Sequence, residues 1–212
     1  MTYLGRYQKT MIDVIAHVFL VFGNLAFIGP LLFIGVIWSE SRFFYELTCL
    51  LLFSITLNVA LKGTFQIPLA RELGIPGYSF PSGHMQIATI FYAWLILYGN
   101  TRLLKNDRLL LPLNIMLVLL LFGIGWSLIH CGYHTIFDVA GAAITALILT
   151  IAYRFLLDFF PKYFAWILLG LATLVTLYSC TRYPELPQHA TFAYYGLLGL
   201  VVGNKIIKRH TT

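Results

Sequence analysis

Four ionisable side chains stand where long apolar runs of the chain begin or end: Lys62, His84, His134 and Asp138. Ionisable groups at such boundaries are costly to keep and mark functional sites by default. His134 and Asp138 are four residues apart, so on a helix they share a face. A carboxylate in that position accepts a proton from one imidazole nitrogen and fixes the tautomer. The other nitrogen is then free to attack an electrophile or to take a proton. A second stretch, Pro81-Ser82-Gly83-His84, opens the apolar run that follows it. Proline suits a helix start, serine is a good N-cap, and glycine lets an anion approach the backbone. The unpaired N–H groups and the positive dipole end of such a helix make a cradle for a phosphate, with His84 beside it as a proton donor.

Membrane helices must position these residues. The 212-residue chain is 59% hydrophobic and 10% charged, where soluble domains carry about 25% charged residues. Its mean hydropathy is +0.83. The apolar runs are long and unbroken, without the alternation of a membrane barrel. They predict an all-α, polytopic membrane helix bundle in one domain, 1–212, because lipid offers no partners to an open backbone. A span needs about 20 apolar residues. Candidate spans fall at 13–38, 44–62, 83–99, 109–128, 135–157, 163–180 and 190–207. The last is the weakest, giving six to seven transmembrane helices. The N-terminus does not read as a cleaved signal, since the apolar run after it is too long.

The net charge of +6 is carried between the apolar runs and at the C-terminus, so it sets topology and does not imply nucleic acid. With seven spans, Arg42, Arg102, Lys105, Arg108, Lys162, Lys205, Lys208 and Arg209 share the richer, cytoplasmic face. The 63–81 loop and the 129–134 turn then face outward, and the expected location is the cell inner (plasma) membrane with the site toward the periplasm or exterior. Cys49, Cys131 and Cys180 form no close pair and are expected to be three buried thiols. The eight acidic residues are scattered, with no paired carboxylates to hold magnesium, so no metal and no other cofactor is expected. His130 and the Asp13/His17 pair are expected to be structural. Arg182 and His189 read as parts of a solvated loop.

"PSGH" at 81–84 and "S-x6-H-x3-D" at 127–138 resemble the second and third motifs of the type 2 phosphatidic acid phosphatase (PAP2) superfamily, over roughly residues 60–145. The resemblance implies a membrane lipid phosphatase with a lipid phosphate as substrate and membrane lipids as its surroundings. It implies roles for single residues. His134 is the nucleophile that takes up the phosphoryl group, and Asp138 orients it. His84 protonates the leaving oxygen and then activates water. Ser82, Gly83 and Ser127 hold phosphate oxygens, and Lys62 neutralises charge in the transition state. The superfamily's two motif arginines are replaced by Leu69 and Leu128, and Arg71 is a candidate substitute for one of them. A monoanionic phosphodiester needs less neutralisation than a dianion. The alternative is therefore a lipid headgroup transferase or phospholipase-C-like enzyme with the same triad, and a second alternative is a catalytically silent lipid-binding member. If both leucines line the phosphate site, restoring arginine at 128, alone or with 69, is expected to favour phosphomonoesters.

Overall fold

The computed structural model describes residues 11–38, 41–69, 77–99 and 107–210. Helices α1 (Met11–Phe22) and α2 (Leu25–Trp38) form one broken rod. Asn24 sits in the break, and its side-chain oxygen accepts the Ala26 N–H at 2.9 Å, capping α2. α3 (Ser41–Phe65) follows, then α4 (Gly83–Trp94), which runs on as a wider π-helical turn over Leu95–Gly99. The remaining rods are α5 (Asp107–His130), α6 (Ile136–Phe159), α7 (Phe164–Arg182) and α8 (Gln188–His210). Each of the seven predicted runs is thus a helical rod, and the described residues contain no strand, only a single antiparallel bridge between Pro68 and Tyr78.

Five helices are long and apolar enough to cross a membrane: Met11–Ile37, Arg42–Phe65, Leu109–His130, Ile136–Phe159 and Phe164–Arg182. Their large apolar side chains remain uncovered on the outside of the bundle. Phe122 is 73% exposed and Phe137 is 79% exposed. In water such a surface would be a liability, whereas in lipid it is the solvated face. The protein is an all-α integral membrane bundle.

α3 is the centre of that bundle. Two-thirds of its apolar window (67%) is buried, against 17% for α5. It packs against α2, α4, α7 and α8, while α4 lies against α5 and α6. The core gathers Phe43, Leu47 and Leu50 of α3, Trp94 of α4, Ile124 of α5 and Leu168 of α7. α3 and α4 are therefore held on several sides, which makes them a rigid base for whatever their ends carry.

The thiols depart from expectation. Only Cys49 is buried; Cys131 is half-buried and Cys180 exposed, and all three are free. Cys131 lies in the turn that leaves α5 and Cys180 on the outer side of the last turn of α7, where packing stops short of the rim. Asp13 meets His130 of α5 at 3.0 Å, and the His130 ring stacks on Trp126. His130 thus joins α1 to α5, in keeping with a structural part.

Candidate active site

The chain ends of α3, α4, α5 and α6 that bear the four ionisable residues come together at one end of the bundle. α3 supplies Lys62, whose ammonium donates to the Tyr78 carbonyl at 2.8 Å. Tyr78 is fixed for this by the bridge to Pro68 and by two backbone bonds, Ser79 N–H to Ile67 O at 2.8 Å and Leu69 N–H to Gly77 O at 3.0 Å. The expected phosphate-site residue Arg71 lies outside the described residues.

α4 begins as the sequence implies. Ser82 is its N-cap, and the Ser82 hydroxyl accepts the Met85 N–H at 3.4 Å. Gly83 is the first helical residue, so Pro81 stands just before the cap. A methyl group at Gly83 would lie 3.3 Å from Asn58 Oδ1, a tight fit even for alanine. The whole turn is docked on α6. The Ser82 N–H donates to the Asp138 carbonyl at 3.1 Å, and the Phe80 ring covers Gly141, where any side chain would overlap it. His84, in the first turn of α4, keeps an exposed ring.

Asp138 joins the parts. Its carboxylate accepts the Thr135 N–H at 2.8 Å and the Thr135 hydroxyl at 2.9 Å, while the Asp138 N–H donates to the Thr135 oxygen at 3.2 Å. This is a reciprocal capping box, and it starts α6 at Ile136. The other carboxylate oxygen accepts the Ser79 hydroxyl at 3.2 Å. One buried carboxylate thus ties the loop before α4 to the first turn of α6.

The relation of His134 to Asp138 differs from the expected helical pair. His134 precedes the N-cap and is not on the helix. It is carried back toward Asp138 by the turn after α5. Gly132 takes a left-handed φ of 71° there, and the Tyr133 and His134 N–H groups both donate to the Leu128 carbonyl, at 3.1 and 3.2 Å. His134 Nδ1 ends 3.7 Å from Asp138 Oδ2. That is ion-pair distance and too long for a hydrogen bond. Nδ1 is buried and has no hydrogen-bond partner. The reason is competition: Thr135 already occupies that carboxylate oxygen twice.

The charges of the cluster act on one another. Burial and the Lys62 ammonium lower the His134 pKa to about 4, with His84 adding to the effect and Asp138 opposing it. His134 is therefore a neutral imidazole at neutral pH, the form in which a ring nitrogen can attack. Burial and, after it, the charge of Lys62 also act on His84 and on His189, at the start of α8. His189 was expected in a solvated loop, yet it stands within the field of the same lysine.

Two expected phosphate contacts sit differently. Ser127 is fully buried, and its hydroxyl donates to the Gly123 carbonyl one turn back at 2.6 Å. It must release that bond before it can donate to a phosphate oxygen. Leu128 is 2% exposed and belongs to the apolar core, while Leu69 is half-buried beside Gly77. Leu128 is thus packed among apolar side chains where a phosphate-facing residue was expected.

Sequence reasoning passed over Ser54, Asn58, Ser79, Gln86 and Thr135. Two signals were present: Thr135-x2-Asp138 is a capping-box spacing, and Ser54, Asn58 and Lys62 recur every fourth residue through an otherwise apolar helix.

The bundle with its polar cluster at one end defines an integral membrane protein whose site is built between helix ends. The chain belongs to the PAP2 superfamily, whose family model matches residues 45–161, more than half of the chain. The match runs from the first turns of α3 past the end of α6, wider than the motif core read from the sequence. Phosphatase-type chemistry, the cleavage of a phosphoric ester, follows from that membership at the level of the superfamily. No curated protein and no solved structure matches the chain.

Proposed function

We propose that the protein is a membrane lipid phosphatase acting through a phosphohistidine, with its site at the outer membrane face. The observation that carries this reading is the neutral His134 beside Asp138, within the field of Lys62 and next to the α4 N-terminus. In the first step the free His134 ring nitrogen attacks phosphorus. The bond from phosphorus to the lipid oxygen breaks, and His84 gives its proton to the departing lipid alcohol. In the second step water attacks phosphorus while His84 takes its proton, and the phosphorus–nitrogen bond breaks, releasing phosphate and restoring His134. The α4 N–H groups and Lys62 face the charge that builds on the phosphoryl oxygens. As His134 becomes a phosphorylated cation-like ring, its Nδ1–H gains a reason to close on Asp138. Closing from 3.7 Å to a normal hydrogen bond is a shift of roughly 0.8 Å, and such bonds often tighten in the reacting complex.

A second reading, phosphodiester headgroup transfer to a lipid alcohol, is favoured by one observation. Position 128, where the resembled motif would carry a phosphate-binding arginine, is a buried leucine and offers no positive charge to a dianion. The test is a panel of lipid phosphomonoesters and phosphodiesters presented to purified protein, scoring free phosphate and transferred headgroup separately, with the His134→Ala variant alongside. Free phosphate lost in that variant supports the phosphatase. Transferred headgroup without free phosphate supports the second reading. Undiminished turnover in the variant overturns both.

A further inference from the structure

A buried chain of amides crosses from α3 to the turn that opens α4. The Gln86 amide nitrogen donates to the Ser54 carbonyl at 3.1 Å and to the Ser54 hydroxyl at 2.8 Å. The Asn58 amide nitrogen donates to Gln86 Oε1 at 2.8 Å and to the Pro81 carbonyl at 3.2 Å. Ser54 and Gln86 are fully buried and Asn58 is 6% exposed. The direction of this chain is fixed at both ends. Ser54 O and Pro81 O are backbone carbonyls and can only accept, so each amide must turn its NH2 group toward its own carbonyl. Gln86 then has only its oxygen left for Asn58.

We propose that Asn58 is a positioning residue that holds the Pro81-Ser82-Gly83-His84 turn open for an anion, with Gln86 orienting the Asn58 amide. The inference rests on the phosphatase reading above and adds a residue to it. Three observations support it. Pro81 O is a negative dipole end immediately before an N-terminus that must present only N–H groups to a phosphate. Asn58 Nδ2 holds that carbonyl toward α3. Asn58 Oδ1 in turn lies 3.3 Å from where a Gly83 side chain would begin, so the Gly83 backbone is seated against the same amide. Finally, Asn58 is one helical turn before Lys62 on α3. A single rigid helix thereby sets both the backbone cradle and the cation. An amide chain of this kind inside an apolar bundle is worth keeping only if fully satisfied, and each of its four bonds is made.

The test compares wild type with Asn58→Leu and Gln86→Met, measuring kcat and KM on a lipid phosphomonoester, the vanadate inhibition constant, vanadate binding by calorimetry, and the melting temperature in detergent. Loss of the bond to the Pro81 carbonyl is expected to lower kcat about ten-fold in Asn58→Leu and to weaken vanadate by a similar factor, with KM changing less. Gln86→Met, which frees the amide but leaves it present, is expected to lose roughly three-fold. It also serves as the decisive variant should Asn58→Leu fail to fold. A lowered melting temperature with kcat and vanadate affinity unchanged makes Asn58 a packing residue and overturns the proposal. Vanadate binding by wild type that Asn58→Leu weakens, in a protein without phosphatase turnover, keeps this proposal and sinks the phosphatase reading. Failure of vanadate to bind wild type sinks the cradle itself.

Discussion

Replacing Leu128 with arginine separates two views of that position. If the superfamily arginine were simply missing from an open site, Leu128→Arg would restore a phosphate clamp. Such a charge-assisted contact is worth roughly 1.5–3 kcal/mol, or about ten-fold or more in favour of phosphomonoesters. The structure argues for the opposite sign. Leu128 is 2% exposed and packed in the core. Removing it forfeits about 1.5–3 kcal/mol of apolar burial. Placing a guanidinium among apolar side chains without a partner adds several kcal/mol more. Together these exceed the largest gain a phosphate contact could return. The Leu128 carbonyl also accepts the Tyr133 and His134 N–H groups, so a displaced backbone there moves His134 itself. Leu128→Arg is therefore expected to melt well below wild type in detergent and to lose activity on monoesters and diesters alike. Leu128→Met, of similar volume, is expected to retain both stability and activity. The assays are a thermal melt of the purified protein and the monoester-to-diester rate ratio. A Leu128→Arg variant that melts with wild type and raises the ratio ten-fold would show that the side chain reaches the phosphate by snorkelling, and the reasoning from burial would be wrong.

Other outcomes follow from the same geometry. His134→Ala is expected to abolish turnover, and Asp138→Asn to cost about three to four orders of magnitude in kcat, in line with other carboxylate–histidine pairs. His84→Ala is expected to be nearly as severe on lipid esters and milder on substrates with good leaving groups, measured as kcat/KM against leaving-group pKa. Because His134 must be neutral to attack and its pKa is lowered to about 4, the acid limb it contributes to kcat/KM should fall near that value. Lys62→Met removes one cause of the lowering and should move the limb upward while slowing the reaction, read from pH profiles of both proteins. If the site faces outward as proposed, a membrane-impermeant thiol reagent on intact cells is expected to label Glu185→Cys and miss Lys162→Cys, both exposed and at opposite ends of the bundle, in a background without the native cysteines. The reverse labelling would turn the site toward the cytoplasm.

Each apolar run of about 17 or more residues that could be read in the sequence is a helical rod, because in lipid the backbone has no other way to satisfy its polar groups. The break between α1 and α2 at Gly23–Asn24 was not read, since a polar cap inside a long apolar run barely disturbs its hydropathy. Nor were the unequal fates of the three cysteines, which depend on which side of a helix meets a neighbour. A uniformly apolar helix carries little record of that choice, as its lipid-facing and protein-facing sides use the same residues.

At the site, the four ionisable residues were legible because each is expensive in an apolar setting and unexpected there. Their neutral supports were harder to see. Ser79, Thr135, Asn58 and Gln86 are common residue types whose importance comes only from what their atoms meet. The relation between His134 and Asp138 shows why this matters. Spacing alone suggested a helical pair, but the carboxylate is engaged by Thr135 and Ser79, and the imidazole is left at 3.7 Å. That arrangement has a consequence for the carboxylate's role. Asp138 is already held in place by partners other than the histidine, so His134 can move against a fixed anion, while its own backbone N–H stays anchored to Leu128. A carboxylate that depended on His134 for its position would drift whenever the ring was phosphorylated. In the proposed two-step reaction the capping box and Ser79 would keep the anion stationary. Thr135→Val should therefore slow turnover by loosening Asp138, even though Thr135 touches no reacting atom.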